Sequence, residues 1–161
     1  MYLLGYDVGS SSIKAALLEA STGRVLASAI SPKKEMAIDA PRLGWAQQHP
    51  QMWWDNLKIA TAGIFQTSAV NAADIKAIGI SYQMHGLVIV DKNKNVLSPA
   101  IIWCDSRAVE IGNDAAQKIG MKKCLAHLLN SPGNFTASKL KWVKDNEPHI
   151  YAKVHKAMLP G

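Results

Sequence analysis

The chain has 161 residues, with 18 Lys+Arg against 12 Asp+Glu, 48% apolar residues and two cysteines. That length suits one domain with a real core, and the apolar content argues against disorder. Two cysteines exclude a disulfide scaffold, and the lack of an apolar run of about 18 residues argues against a membrane-spanning helix. No basic-then-apolar leader opens the chain, so a reduced cytoplasmic setting is expected. The first 31 residues read as three strands, Tyr2–Val8, Ile13–Leu18 and Arg24–Ile30, with Ser21-Thr22-Gly23 as a hairpin turn. A loop of about twenty residues follows, from Ser31 to Pro50, a length that in a compact domain often means function.

Pro50 suits a first helical turn, and Trp53, Leu57, Ala60 and Ile64 then fall on one helix face. Asp74 is placed to cap or turn the chain into a strand over Ile75–Ser81. Leu87–Val90 is another strand, turning through Asp91–Asn95 into a return strand from Val96, and Ala100–Trp103 is a further apolar run. Helical patterns take over at Arg107–Ile119, Lys122–Leu129 and Thr136–Asp145, the last with Thr136 as cap and Leu140 and Val143 on one side. Pro148 ends that helix and opens another short piece. Antiparallel strands followed by alternating helices and strands indicate a mixed α/β sheet.

The net charge of +6 lies mostly in the second half, which carries 11 basic and 6 acidic residues against 7 and 6 in residues 1–80. Lys118, Lys122, Lys123, Lys139, Lys141, Lys144, Lys153 and Lys156 recur at roughly helical spacing and read as solvated helix faces. No dense basic stripe with aromatic platforms points to nucleic acid. The two cysteines and five histidines show no metal-ligand spacing, and Cys104 has no feature of an activated thiol.

Three stretches can carry chemistry. In Asp7-Val8-Gly9-Ser10-Ser11-Ser12-Ile13-Lys14 a strand delivers Asp7 to a tight turn. Gly9 permits close backbone approach, the serine N–H groups can form an anion site, and Lys14 can add a point charge. Asp7 would repel bare phosphate, so it points to a Mg²⁺ between them, held directly or through water. An ordinary hairpin with an exposed Asp and Lys is the competing reading. Gln83-Met84-His85-Gly86 lies between strands, where His85 can donate to a hydroxylated ligand or serve structure alone. In Trp103-Cys104-Asp105-Ser106-Arg107, Asp105 can cap a helix or accept from a sugar hydroxyl.

The first stretch resembles the phosphate motif of actin-like ATPases. Together with Gly44-Trp45-Ala46-Gln47-Gln48-His49-Pro50, Gln83–Gly86, Trp103–Arg107 and Pro132-Gly133-Asn134-Phe135-Thr136-Ala137-Ser138-Lys139-Leu140, it resembles the FGGY carbohydrate kinases, nearest to their xylulose-phosphorylating branch. The resemblance runs the whole chain in order. It implies an α/β, actin-like (ribonuclease H-like) fold whose mixed sheet starts with an antiparallel three-strand meander. It implies ATP and Mg²⁺ as cofactors and D-xylulose as acceptor, with Asp7 organising Mg²⁺ and Gly9, Ser10, Ser11 and Lys14 approaching the phosphates. Met84, His85, Gly86, Trp103 and Asp105 would meet the ketose.

Ser10 stands where the family usually has Thr, Gln47 where Glu is common, and Cys104 where a polar residue is frequent. Family members are much longer, so residues 1–161 are expected to be the N-terminal portion of the first kinase domain. The catalytic base and adenosine site would then lie beyond residue 161, and the piece alone is expected to be inactive. The remaining partner is the rest of the chain, with room for a homodimer and no role for nucleic acid or membrane. A sugar-binding or regulatory module without phosphotransfer, or a kinase for another sugar or polyol, is the alternative. A ribonuclease H-type nuclease fits poorly, because Asp7 lacks obvious carboxylate partners.

Overall fold

A computed structural model describes all residues 1–161. In chain order its elements are β1 (Tyr2–Val8), β2 (Ile13–Glu19), β3 (Val25–Ser31), β4 (Gln47–Gln48), α1 (Pro50–Thr67), β5 (Ile75–Tyr82), β6 (Val88–Val90), β7 (Ala100–Ile101), α2 (Val109–Ile119), α3 (Met121–Leu128), α4 (Thr136–Asn146), α5 (Pro148–Tyr151) and β8 (Lys156–Met158). Short 3-10 turns cover Ala72–Asp74 and Pro132–Asn134. The chain forms two compact units, one from residues 1–37, 50–83 and 161, the other from residues 38–49 and 84–160.

The first unit is a four-stranded sheet in the order β3-β2-β1-β5. β1 pairs antiparallel with β2, and β2 with β3, while β5 runs parallel to β1. The expected mixed sheet led by a meander is what forms. Period-two alternation aims Leu4, Tyr6 and Val8 to one side, where Leu4, Tyr6, Ala15, Leu17 and Ala27 pack with Ala60 and Ile64 of α1. Trp53, Ala60 and Ile64 are the buried stripe of α1, as the spacing predicts. The Tyr6 and Thr61 hydroxyls bond across this interface at 2.7 Å. Asn71, rather than Asp74, caps the turn before β5, its side chain accepting from the Ala73 N–H at 2.9 Å. A side-chain oxygen two residues ahead reaches that N–H, whereas Asp74 is the last residue of the turn.

The second unit is built on short ladders. β4 pairs with β7, β6 with β8, and a single bridge joins Leu87 to Ile101. The return strand from Val96 shrinks to one bridge with Val90. Leu87, Ile89, Ile101 and Val143 form the core, with Leu140, Trp142, Ile150 and Tyr151 packed around it. Thr136 is not the cap of α4. It is the first helical residue, preceded by Phe135, which makes no side-chain cap bond. Asp105 caps no helix either, since α2 begins at Val109. No helix is long and apolar enough to cross a membrane.

Candidate functional site

In the first unit the β1–β2 hairpin closes with the Gly9 N–H donating to the Ser12 carbonyl at 3.2 Å, which leaves Ser10 and Ser11 at the tip. A Cβ at Gly9 would stand 2.9 Å from that same carbonyl oxygen, so only glycine fits without a shift. The Ser11 carbonyl accepts from the Met36 N–H at 2.8 Å, which anchors the tip to the long loop. Asp7 and Lys14 are cross-strand partners, and Lys14 Nζ donates to Asp7 Oδ2 at 3.1 Å. Both side chains are about half exposed. An ion pair this wet contributes at most about 1 kcal/mol, so an incoming ligand can open it at little cost.

No group of three or more His, Cys, Asp or Glu side chains is placed to hold a metal. The chain offers one hard, accessible carboxylate here, Asp7. That donor set fits Mg²⁺, which commonly takes one or two carboxylates and draws its other ligands from phosphate and water. At the end of β5, Gln83 is buried and neither atom of its side-chain amide has a hydrogen-bond partner. Such a group is costly unless water or ligand meets it. Gln83 opens the Gln83–Gly86 motif, and residue type alone does not show that its amide is buried.

The second unit brings the sugar-directed candidates onto two turns. Met84 is 64% exposed, and His85 follows in the left-handed region at φ 58°. The His85 ring stacks on Phe135, with centroids 4.5 Å apart and planes at 17°. Burial, and secondarily the Lys139 charge, holds its pKa below the ordinary 6.5. His85 is therefore neutral at neutral pH, with one ring nitrogen to donate and the other to accept. Gly86 is buried, and its carbonyl accepts from the Thr136 hydroxyl at 3.1 Å. On the second turn Trp103 is 46% exposed, and its carbonyl accepts from the Asn134 side-chain amide.

Asp105 is not placed as the open sugar contact expected of it. The residue is 1% exposed. Its carboxylate accepts from the Ala46 N–H at 2.6 Å, the Arg107 N–H at 2.9 Å, Arg107 Nε at 2.9 and 3.0 Å, and Arg107 Nη2 at 2.7 Å. The Arg107 guanidinium lies over the Trp45 ring at 3.8 Å and reaches Gln47 Oε1 at 3.2 Å. This buried ion pair staples the 44–48 segment to the 102–107 turn. Sequence spacing could not show this link between Trp45 and Arg107.

Lys139 also departs from expectation. It is not part of a solvated face but is 0% exposed. Desolvation lowers its pKa from 10.5 to about 8, partly offset by the Asp105 charge.

Residues 2–161 match the FGGY family of carbohydrate kinases, N-terminal domain. The chain is similar to the xylulose kinase of Klebsiella pneumoniae, with 37% identity over 99% of this chain and 32% of that protein. It is similar to the xylulose kinase of Escherichia coli strain K12, with 33% identity over 99% of this chain and 31% of that one. The crystal structure of a xyloylose kinase from Brucella ovis superposes with a TM-score of 0.86 at 31% identity, covering 99% of this chain and 32% of that chain. The chain thus spans about a third of the length of the curated relatives it matches, and its fold is that of the actin-like ATPases. It belongs to the FGGY family of carbohydrate kinases, in that family's N-terminal domain.

Proposed function

We propose that this chain is the N-terminal portion of the first domain of an enzyme that transfers the γ-phosphoryl group of ATP to D-xylulose, giving D-xylulose 5-phosphate. The observation that carries the reading is the pair of turns in the second unit. Met84 and Trp103 are exposed there and His85 is half-buried, while Asn134, Thr136 and the buried Lys139 hold the carbonyls of Trp103, Gly86 and His85. The identity to xylulose kinases supports the choice of sugar. Phosphoryl transfer depends on positioning and charge neutralisation more than on covalent chemistry, which suits these residue types.

In this reading the neutral His85 donates to, or accepts from, a ketose hydroxyl. Met84 and Trp103 supply apolar walls, and Gly86 lets the backbone pass close. Asp105 acts from behind, fixing the Trp103 turn through Arg107. Gly9, Ser10, Ser11 and Lys14 approach the phosphates, and Asp7 holds Mg²⁺ directly or through water. When bound, the metal neutralises phosphate charge. No catalytic base is assigned within residues 1–161, and Asp7, paired with Lys14, is not one. The protein is read as cytoplasmic.

The test is ADP release by the full-length gene product carrying this chain, with ATP, Mg²⁺ and D-xylulose, gluconate or glycerol as acceptor. D-xylulose should give the highest kcat/KM, and residues 1–161 alone should give no turnover. Preference for another acceptor refutes the sugar assignment. Ketose binding without ADP release points instead to a binding module. Substituting His85→Ala should raise the ketose KM by roughly tenfold and leave the KM for ATP near its starting value.

A further inference from the structure

The motif Pro132–Leu140 has no task in the reaction as described, yet it sits behind both ketose-facing turns. Lys139 Nζ donates to the His85 carbonyl at 2.7 Å and to the Ile102 carbonyl at 3.0 Å. Three neighbours on the same stretch grip the same turns. Asn134 donates to the Trp103 carbonyl, Phe135 stacks on the His85 ring, and the Thr136 hydroxyl donates to the Gly86 carbonyl.

We propose that Lys139 is a positioning residue, a buried two-pronged clamp that, with Thr136, sets where His85 and Trp103 stand relative to one another. The proposal rests on the ketose reading of those turns. Three observations support it. Lysine is almost never fully buried unless its charge is met, and this one is 0% exposed. Its two hydrogen-bond acceptors are main-chain carbonyls of two different turns, not a carboxylate, so the ammonium joins loops and does not merely neutralise an acid. His85 is a non-glycine residue at φ 58°, a conformation that persists only where the surroundings over-determine it. The contacts from Lys139, Phe135 and Thr136 are those surroundings. Burial has also lowered the amine's pKa to about 8, so the site bears a cost that a purely apolar side chain would avoid.

The test compares the full-length protein with its Lys139→Met, Thr136→Val and Val143→Ala variants. Met keeps the length and loses the donors. Val keeps the shape of Thr and loses the hydroxyl. Val143 is buried in the same helix and touches neither turn through a hydrogen bond, so its truncation reports general loosening of α4.

Lys139→Met should raise the ketose KM about tenfold or more, with the ATP KM within about twofold. Thr136→Val should raise the ketose KM about threefold, and Val143→Ala should leave both constants within about twofold. Amide exchange at residues 84–87 and 103–105 should speed up in the first two variants and not in the third. If Lys139→Met does not fold, Thr136→Val decides. An unchanged ketose KM with unchanged exchange, or equal effects from Val143→Ala, overturns the clamp. Wild-type protein that binds no ketose overturns the ketose reading instead, and exchange at the two turns then still tests the clamp by itself.

Discussion

Lys139 makes the clearest residue-scale prediction. Its pKa is about 8 in the folded chain against 10.5 ordinarily, and the groups around it are His85, Cys104, Asp105 and Arg107. Between those two values the unfolded chain binds a proton that the folded chain does not, so this group makes stability rise with pH across that window. The span corresponds to roughly 3 kcal/mol. Wild-type protein should therefore gain on Lys139→Met as pH climbs from 8 towards 10.5, and paired denaturant titrations across that range measure the gain. A constant gap between the two proteins would show that the amine is not desolvated. The Asp105–Arg107 pair predicts a different behaviour. Both side chains are almost wholly buried, so losing either strands a charge. Asp105→Ala or Arg107→Met should each cost about 3–5 kcal/mol, whereas replacing both together should cost less than the sum.

At the scale of elements, strands and helices were legible wherever the pattern was long. The three opening strands, α1 with its Trp53–Ala60–Ile64 stripe, and α4 all lie within a few residues of where periodicity puts them. The short ladders were not legible. β4 and β7 have two residues each, too few to carry a period, and their pairing joins segments far apart in sequence. The site divided along the same line. Asp7 and His85 stand out as candidates by residue type at strand ends, whereas Trp103 becomes one only through the family resemblance. Burial of Asp105 and Lys139 could not be picked out, because a charged residue in sequence looks solvated until its partners are known.

Gly112 in α2 shows the same limit. Within a helix it reads as a weak point. In the fold a Cβ there would lie 2.3 Å from the Pro132 carbonyl oxygen and 2.4 Å from the Gly133 Cα. The glycine lets α2 meet the 3-10 turn that leads into the clamp. Gly112→Ala should destabilise by about 1–3 kcal/mol, although alanine is the better helix former. Thermal melting of that variant checks the sign, and a stabilised protein would show that the two backbones are not in close contact.

Across the whole molecule, the first unit's sheet has an open flank. β5 pairs with β1 on one side and has no strand on the other, and Ile78 and Ile80 stay more than half exposed. An unpaired eight-residue edge that exposes Ile78 and Ile80 is a template for pairing with another chain. Expressed as residues 1–161, the protein should self-associate, and Ile80→Lys should lower the associated fraction seen by light scattering. Equal association with and without that substitution would place the sticky surface elsewhere.

The buried amine also has a use that does not depend on catalysis. An acylating reagent reaches a lysine only when its nitrogen is exposed, and Lys139 is shielded by the packing of the second unit. Slow modification of that one side chain, read by mass spectrometry against fast modification of the half-exposed Lys141 two residues away, would count how often the second unit opens. The chain thus carries a natural clock for its own local unfolding, and a ligand that steadies the two turns should be seen to slow it.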